Sequence, residues 1–288
     1  MHSGLHITIE ADDAVNTALL SHMHLPPTSF SRHALVSAYH NALLSEPSNT
    51  NLSAKEPNTD WSPILVLASE TAYSDTQVQT RLINLLQDLH NLPSDLQTAY
   101  ENQHPVINGK PVDGSPWRNL PCFSMQCREA LNYDTIVEND SETAGTWINL
   151  HAFFARCTVS SLDETEMGRD DGGDGDERLR LTFELFALWM LRAAFEGTGE
   201  VRKPDWDAAA VWIVVAGSLI REWCEAGRDM CGQGRSGIAG KKYREKGWRG
   251  FEMERWEVWK NEFEELSRGV GLDDESKTLV RRALEVMR

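Results

Sequence analysis

The chain has 288 residues, of which 41% are hydrophobic, and it carries a formal net charge of −16 at pH 7. This length and apolar content are enough for a substantial core in one large domain or two small ones. The negative charge argues against general binding to nucleic acid or to an anionic membrane, because both depend on positive surface potential.

The N-terminal part of the chain contains five segments with helical periodicity. Apolar residues recur in them at three- and four-residue spacing, as on the buried face of an amphipathic helix. The five predicted helices are residues 12–20, 30–44, 74–89, 123–131 and 141–157. Ser74 and Gln77 have the spacing of a capping box at the start of the third. Residues 45–62 are predicted to be a surface loop, and Trp117 is expected to anchor the connection before the fourth helix.

An acidic segment follows at residues 162–177. It holds eight acidic residues, four glycines and a single arginine, and large apolar residues are scarce. Like charges at this density repel one another and leave little to bury, so the sequence predicts a disordered insertion.

The C-terminal part is predicted to contain the core. Residues 181–195 and 207–224 are apolar on most sides, which is typical of helices that pack against each other. Residues 252–266 form a strongly amphipathic pattern that includes Trp256 and Trp259, and residues 274–287 are a last helix.

These patterns predict an all-α protein. No alternation of strands and helices is present, so we expect a single helical domain of about eight helices over residues 1–288. Residues 5–100 would supply N-terminal helices, residues 162–177 the disordered insertion, and residues 178–288 the core helices, the glycine-rich loop and the tryptophan helix.

A basic, glycine-rich loop at residues 226–250 is the chemical exception in this acidic chain. It has seven cationic residues against two acidic ones, a local charge of 7 − 2 = +5. Exposed backbone N–H groups and cationic side chains can hold a phosphate or a carboxylate. The candidate residues for binding an anion are Arg235, Lys241, Lys242, Arg244, Trp256 and Trp259. The alternative is that these cations pair with acidic residues of the same protein.

The glycines of this loop do not indicate a dinucleotide site. Gly232, Gly234 and Gly237 match G-x-G-x-x-G, but that motif works only after a strand and before a helix, and here it follows a predicted helix. The loop is interpreted instead as a cationic, glycine-flexible connector between two helices.

The sequence offers no recognisable catalytic or metal-binding constellation. H-E-x-x-H and G-x-S-x-G are absent, and the N-D-x-x-[ST] pattern that begins at Asn139 fails because its closing acid would fall at Trp147. His151 is predicted to be a core histidine with a hydrogen-bond partner. We therefore predict no catalytic residue, no metal and no cofactor.

Cysteine use and the absence of a targeting signal predict the compartment. The five cysteines form no C-x-x-C pair, which is typical of reduced thiols in a cytosolic protein. The N-terminus lacks the charged start and apolar core of a signal peptide. The longest apolar run, residues 208–220, is shorter than the roughly 20 residues that a membrane span needs. We expect a soluble intracellular protein of the cytoplasm or nucleus.

Five blocks in the second half of the chain carry a resemblance. They are LPCFSMQCREALN at 120–132, WINLHAFFARCT at 147–158, FELFALWMLRAAFE at 183–196, AAAVWIVVAGSLI at 208–220 and GKKYREKGWRGFEMERWEVWKNEFEEL at 240–266. In order and spacing, residues 115–288 resemble a fungal family of uncharacterised helical proteins, a domain of unknown function. The resemblance implies a fungal origin and an all-helical fold, and it supplies no catalytic residue. The acidic insertion and the N-terminal third depart from the family pattern.

Two functions from different classes fit these observations. The first is a binding or scaffold protein that holds an anionic small molecule or an acidic protein partner beside the basic loop. The alternative is a small-molecule enzyme, such as one of secondary-metabolite biosynthesis, with a helical aromatic pocket. The residues expected to line that pocket are Trp189, Trp212, Trp256 and Trp259.

Overall fold

The structure, a computed structural model, describes most of the chain. The described residues are 14–45, 60–103, 106–107, 110–111, 115–131, 141–163, 179, 181–199, 201–233, 237–269 and 272–288. They form eleven α-helices and one hairpin of two short strands, which confirms the predicted all-α class. The prediction of about eight helices was too low.

The described residues group into two compact units. The first comprises Met1–Ile136 with Arg169–Leu179, and the second comprises Val137–Gly168 with Arg180–Arg288. That the chain forms one domain stays a prediction. In the described ranges, no helix combines the length and apolar character that a membrane crossing requires.

Six helices and the hairpin make up the first unit. They are α1 (Ala14–Met23), α2 (Arg32–Ser45), α3 (Ser62–Glu70), α4 (Thr76–His90), α5 (Ser94–Gln103), β1 (Val106–Ile107), β2 (Lys110–Pro111) and α6 (Phe123–Leu131). β1 and β2 are antiparallel, with Val106 opposite Pro111. α1 packs against α2, α3 and α4, and the leucines along one face of α4 are buried.

Two features of the first unit correct the sequence predictions. The cap of α4 is Asp75, whose carboxylate accepts from the Val78 N–H at 3.2 Å, and not Ser74. α3 and α5 were not predicted. Trp117 is fully buried and its indole N–H donates to His40 Nδ1 at 2.9 Å, so it anchors its connection as expected.

Five helices and two short 3₁₀ segments make up the second unit. They are α7 (Ser141–Asp163), α8 (Glu184–Phe195), α9 (Lys203–Glu225), the 3₁₀ segments Cys231–Gln233 and Lys241–Lys246, α10 (Met253–Arg268) and α11 (Asp274–Val286). α9 is the central helix because it contacts the other four. Its alanine-rich face is fully buried, as the sequence pattern predicted.

α9 bends at Ala216, whose φ of −124° and ψ of 16° are not helical. The bend lies beside Gly217 and Ser218, a residue pair at which helices commonly kink. A Cβ added at Gly217 would lie 2.6 Å from a methyl carbon of Val286, so α11 packs directly on the glycine. The missing side chain therefore allows the last helix to approach the central one.

α7 continues six residues beyond the predicted end at Cys157. The Thr158 and Ser161 hydroxyls donate back to the Phe154 and Cys157 carbonyls. They also accept hydrogen bonds from the backbone N–H groups of Phe183 and Leu181, both at 2.9 Å. These bonds fix the backbone of the segment that precedes α8. The hydroxyls thus make the last turns of α7 a support for the next element. Beyond Asp163, the predicted disordered insertion lies outside the described residues, as does most of the predicted loop at 45–62.

Candidate functional site

The segment between α9 and α10 begins with a defined helix end. Ala226 is the C-cap of α9, and Gly227 follows in the left-handed region with a φ of 59°. The Gly227 N–H donates to the Cys224 carbonyl and the Arg228 N–H to the Trp223 carbonyl, at 3.1 and 3.0 Å. This is the Schellman pattern, which favours glycine because a Cβ strains the left-handed conformation.

The two ends of the loop are then paired like a short antiparallel bridge. The Met230 N–H donates to the Arg249 carbonyl at 2.8 Å, and the Phe251 N–H donates to the Arg228 carbonyl at 2.9 Å. A Cβ at Gly250 would lie 2.1 Å from the Arg228 carbonyl oxygen. Only glycine permits this approach of the two backbones, so the loop is closed at its base.

Two further glycines are fixed by close contacts. A Cβ at Gly237 would lie 2.2 Å from the Arg249 carbonyl oxygen, and one at Gly240 would lie 2.4 Å from Glu196. Gly232, in contrast, has open space where its Cβ would be. The interpretation of the loop as a glycine-flexible connector was therefore wrong for Gly237, Gly240 and Gly250, whose role is close packing.

A buried ion pair between Glu196 and Arg255 lies at the centre of the loop. Glu196 is the C-cap of α8, Arg255 lies in the first turn of α10, and both side chains are 0% exposed. Arg255 Nε and Nη2 donate to the two carboxylate oxygens of Glu196 at 2.7 and 2.9 Å. This bidentate geometry is the strongest form of the arginine–carboxylate interaction.

The remaining hydrogen-bonding capacity of Glu196 is used by the loop and by α10. The backbone N–H of Gly240 and the indole N–H of Trp259 donate to its carboxylate at 2.7 and 2.9 Å. The Lys242 N–H donates to its backbone carbonyl at 3.0 Å. A buried carboxylate with four charge-assisted or neutral donors is well compensated for its lost hydration.

Arg255 connects the same centre to the loop backbone. Its Nη1 donates to the carbonyls of Gly237 and Gly250 at 2.9 and 2.6 Å. Its guanidinium also lies 5.4 Å from the ring centroids of Trp248 and Trp259, within the range of a cation–π interaction. One guanidinium therefore fixes both strands of the loop and the start of α10.

The outer face of the loop carries four ion pairs whose cations are exposed. Lys242 pairs with Glu262, Lys246 with Glu254 at 2.6 Å, Arg249 with Asp229 at 2.9 Å, and Arg228 with Glu184 at 2.6 Å. The hydrogen bond from Lys246 and a second one from Trp248 lower the pKa of Glu254. Four of the seven cations of the loop thus pair with acids of the same chain.

The predicted anion-binding residues occupy three different environments. Lys241 and Arg244 are exposed, and among the residues that the structure describes neither has an acidic partner. Lys242 is exposed but paired, and Arg235 lies outside the described residues. Trp256 and Trp259 are 1% and 0% exposed and pack in the core beneath the loop, where they do not form an open surface. A binding role for these residues stays a prediction.

Sequence reasoning missed Glu196, Trp248 and Arg255. For Arg255 a signal was present, because it precedes Trp259 by four residues and therefore lies on the apolar face of α10. A charged residue at such a position is rarely buried without a partner. Glu196 gave no comparable signal, since it follows the apolar α8 at a place where exposed acids are common.

The buried histidine and the two buried cysteines of the second unit are poor proton-transfer groups at neutral pH. Burial lowers the pKa of His151 to about 3 and raises the pKa of Cys224 to about 12, and it also raises the pKa of Cys157. All five cysteines are free. Within the described ranges, His, Cys, Asp and Glu side chains nowhere gather in threes that could hold a metal ion.

Comparison with known proteins gives one match. A family model described as "Protein of unknown function (DUF3632)" matches residues 61–263, more than two thirds of the chain. The match begins earlier than the resemblance seen in the sequence, at Trp61, and ends before α11. No match was found among curated proteins or among solved structures. The extent of the family match is enough to assign the chain: it belongs to the DUF3632 family, whose function is not known.

Proposed function

We propose that this chain is a binding protein that docks an acidic segment of a partner protein on the outer face of the loop at residues 226–250. The observation that carries the proposal is a pair of exposed cations, Lys241 and Arg244, that have no acidic partner among the described residues. They lie on a loop whose inner side is fixed by Glu196 and Arg255. A preformed surface loses little conformational entropy on binding, so modest charge attraction is enough for association.

Open exposure of these two cations favours a protein segment over a small anion. A small anion usually needs an enclosed site with several convergent donors. Lys241 and Arg244 instead lie exposed on the 3₁₀ segment Lys241–Lys246. Successive acidic residues of an extended partner segment can form ion pairs with them there. The net charge of −16 opposes general attraction of such a partner to the molecule, so the basic loop is the favoured face.

The test compares two variants that remove equal charge. Lys241→Ala with Arg244→Ala removes the unpaired cations, and Lys242→Ala with Lys246→Ala removes two cations that already pair with Glu262 and Glu254. Binding of a fluorescent oligoglutamate peptide is measured by anisotropy at low and physiological salt.

We expect the first variant to weaken peptide binding by about three- to tenfold at low salt, and the second to weaken it less. An equal loss in both variants would mean that only the overall charge matters, and the proposed face would be wrong. Thermal-shift measurements with inorganic phosphate form a second arm. Stabilisation by phosphate that disappears in the first variant would assign the face to small anions and would contradict a protein partner.

A small-molecule enzyme is the second candidate, and one observation favours it. Trp212, one of the tryptophans expected to line a pocket, donates its indole N–H to the buried His151 Nδ1 at 3.0 Å. An aromatic site with a precisely held polar group is typical of small-molecule binding. However, the low pKa of His151 makes it a weak base at neutral pH, so the geometry supports binding there better than acid–base catalysis.

A further inference from the structure

The contact between α7 and α9 contains a buried histidine with a defined tautomer. His151 is 0% exposed, and its Nδ1 lies 3.0 Å from Trp212 Nε1. An indole N–H can only donate, so Nδ1 must accept, and the proton of the neutral imidazole is on Nε2. Burial keeps the ring neutral by lowering its pKa to about 3.

Among the residues that the structure describes, two donors at this place have no acceptor. His151 Nε2 is buried without a hydrogen-bond partner, and so is Nε1 of Trp147, one turn earlier on α7. The two rings are in contact, with centroids 4.6 Å apart. Buried N–H groups are nearly always satisfied, so two unsatisfied donors side by side indicate an acceptor that the described part of the polypeptide does not supply.

The chemistry of the acceptor follows from what the site offers. A water molecule would accept from both donors but would bring two hydrogens that need acceptors of their own. A carboxylate would lose its hydration beside a neutral imidazole that supplies no positive charge. A carbonyl oxygen has two lone pairs, no hydrogen and no charge, so it fits two N–H donors best.

The surroundings indicate the rest of the ligand. The ring of Phe154 lies 6.4 Å from that of His151, and it packs in turn on Phe183 and Phe186 at 4.8 and 5.3 Å. Trp147 is half-buried as a residue, whereas its indole nitrogen and the whole of His151 are buried. An uncharged molecule with an apolar or aromatic body is therefore complementary to this region.

We propose that Trp147 Nε1–H and His151 Nε2–H are the polar end of a binding site for an uncharged apolar molecule that carries a carbonyl oxygen. The site is separate from the basic loop and does not depend on the function proposed for that loop. Neither side chain takes part in the loop network around Glu196.

The first unit supplies a matched control. His40 is 2% exposed, its Nδ1 accepts from the Trp117 indole N–H at 2.9 Å, and burial lowers its pKa to about 4. In the part of the chain that the structure describes, no ring nitrogen of His40 is a buried atom without a hydrogen-bond partner, unlike Nε2 of His151. The same histidine–tryptophan contact is thus present without the free donor.

Titration of the ¹⁵N-labelled full chain with acetophenone, followed by NMR, tests the proposal. Acetophenone is an aromatic ketone, and ethylbenzene has nearly the same shape without the oxygen. We expect acetophenone to shift the Trp147 indole N–H resonance and to bind about tenfold more tightly than ethylbenzene, the difference of one net hydrogen bond. His151→Phe should abolish this difference in affinity. His151→Gln should keep part of the difference, because glutamine can both accept and donate. His40→Phe should leave the difference unchanged.

Three results would overturn the proposal. The first is equal affinity for acetophenone and ethylbenzene in the wild-type chain, a measurement that needs no variant to fold. The second is a Trp147 indole resonance that does not respond to either compound. The third is a crystal structure in which one ordered water accepts from both donors and stays in place after the crystal is soaked with acetophenone. That result would assign the site to internal hydration.

Discussion

The inner and outer sides of the loop at residues 226–250 use the same residue types to opposite effect. On the inner side, Glu196 and Arg255 are 0% exposed and their hydrogen bonds reach three segments of chain. On the outer side, Lys246 and Glu254 are 38% and 54% exposed, and Glu254 accepts one further hydrogen bond, from the Trp248 indole N–H. The difference shows that burial, and not the presence of an ion pair, decides whether a charge positions the backbone.

Removal of the inner arginine is expected to have the largest effect. Arg255→Met leaves the Glu196 carboxylate buried without its counter-charge and leaves the Gly237 and Gly250 carbonyls without a donor. Loss of one partner of a buried pair typically costs about 3–5 kcal/mol of unfolding free energy. Urea denaturation measures this loss, and hydrogen exchange at the Gly240 and Lys242 amides should accelerate at the same time.

The matched change on the outer side is Lys246→Ala. The Lys246 ammonium and the Glu254 carboxylate are both exposed to solvent, so the urea midpoint should change little. The pKa of Glu254 should rise toward its ordinary value of 4.5, because the hydrogen bond from Lys246 is lost. If Arg255→Met were as mild as Lys246→Ala, the distinction between the two sides of the loop would be refuted.

A methyl group at Gly240 is the next largest perturbation. In Gly240→Ala the new Cβ would lie 2.4 Å from Glu196, including its backbone oxygen, so the loop must move away from the ion pair. Overpacking of this kind costs about 1–3 kcal/mol. Thermal denaturation should show a clear loss of stability together with weaker binding of the oligoglutamate peptide.

Gly232→Ala is the control for the glycine substitution. Gly232 has no atom within 4 Å of the added Cβ, and its φ is not positive. Alanine there restricts the unfolded chain more than the folded one, so stability should be unchanged or slightly higher. A loss in Gly232→Ala equal to that in Gly240→Ala would mean that general glycine flexibility, and not close packing, matters in this loop.

Much of the fold could be predicted from the sequence because long helices leave a periodic pattern. All nine helices predicted from that pattern are present. α3 was missed because its apolar residues form one short, continuous run at 63–68, which periodicity cannot assign to a helix or a strand. α5 was missed because its main buried residue is Tyr100, too weak a signal for an amphipathic face.

The candidate site was predictable only in part. Residues 226–250 were identified from their charge, and the pairing of their cations with the chain's own acids was one of the two alternatives. The contact of Glu196 with Arg255 joins residues 59 positions apart, and the sequence contains no local rule for such a distance. Buried polar pairs of this kind depend on how helices pack, which periodicity alone does not determine.

Acid extends the comparison between buried and exposed groups. Burial lowers the pKa of His40 to about 4 and that of His151 to about 3, from 6.5 in an unfolded chain. Below pH 6.5 the unfolded state therefore binds protons that the folded state rejects, and stability falls as pH decreases. The exposed Glu254 titrates in a lower range, because its lowered pKa keeps the outer pair intact until the pH falls below 4.5.

The first loss of stability in acid should therefore come from the buried histidines and not from the loop's exposed pairs. Between about pH 6 and pH 4.5, each histidine should contribute a slope approaching 1.4 kcal/mol per pH unit in the free energy of unfolding. His151→Gln should remove about that slope, as measured by urea denaturation across this range, because glutamine keeps the contact with Trp212 and does not titrate. Lys246→Ala should leave the slope unchanged down to about pH 5. If instead Lys246→Ala flattened the curve and His151→Gln did not, exposed charges would control the acid response, and burial would not be what decides the effect of a titratable group in this protein.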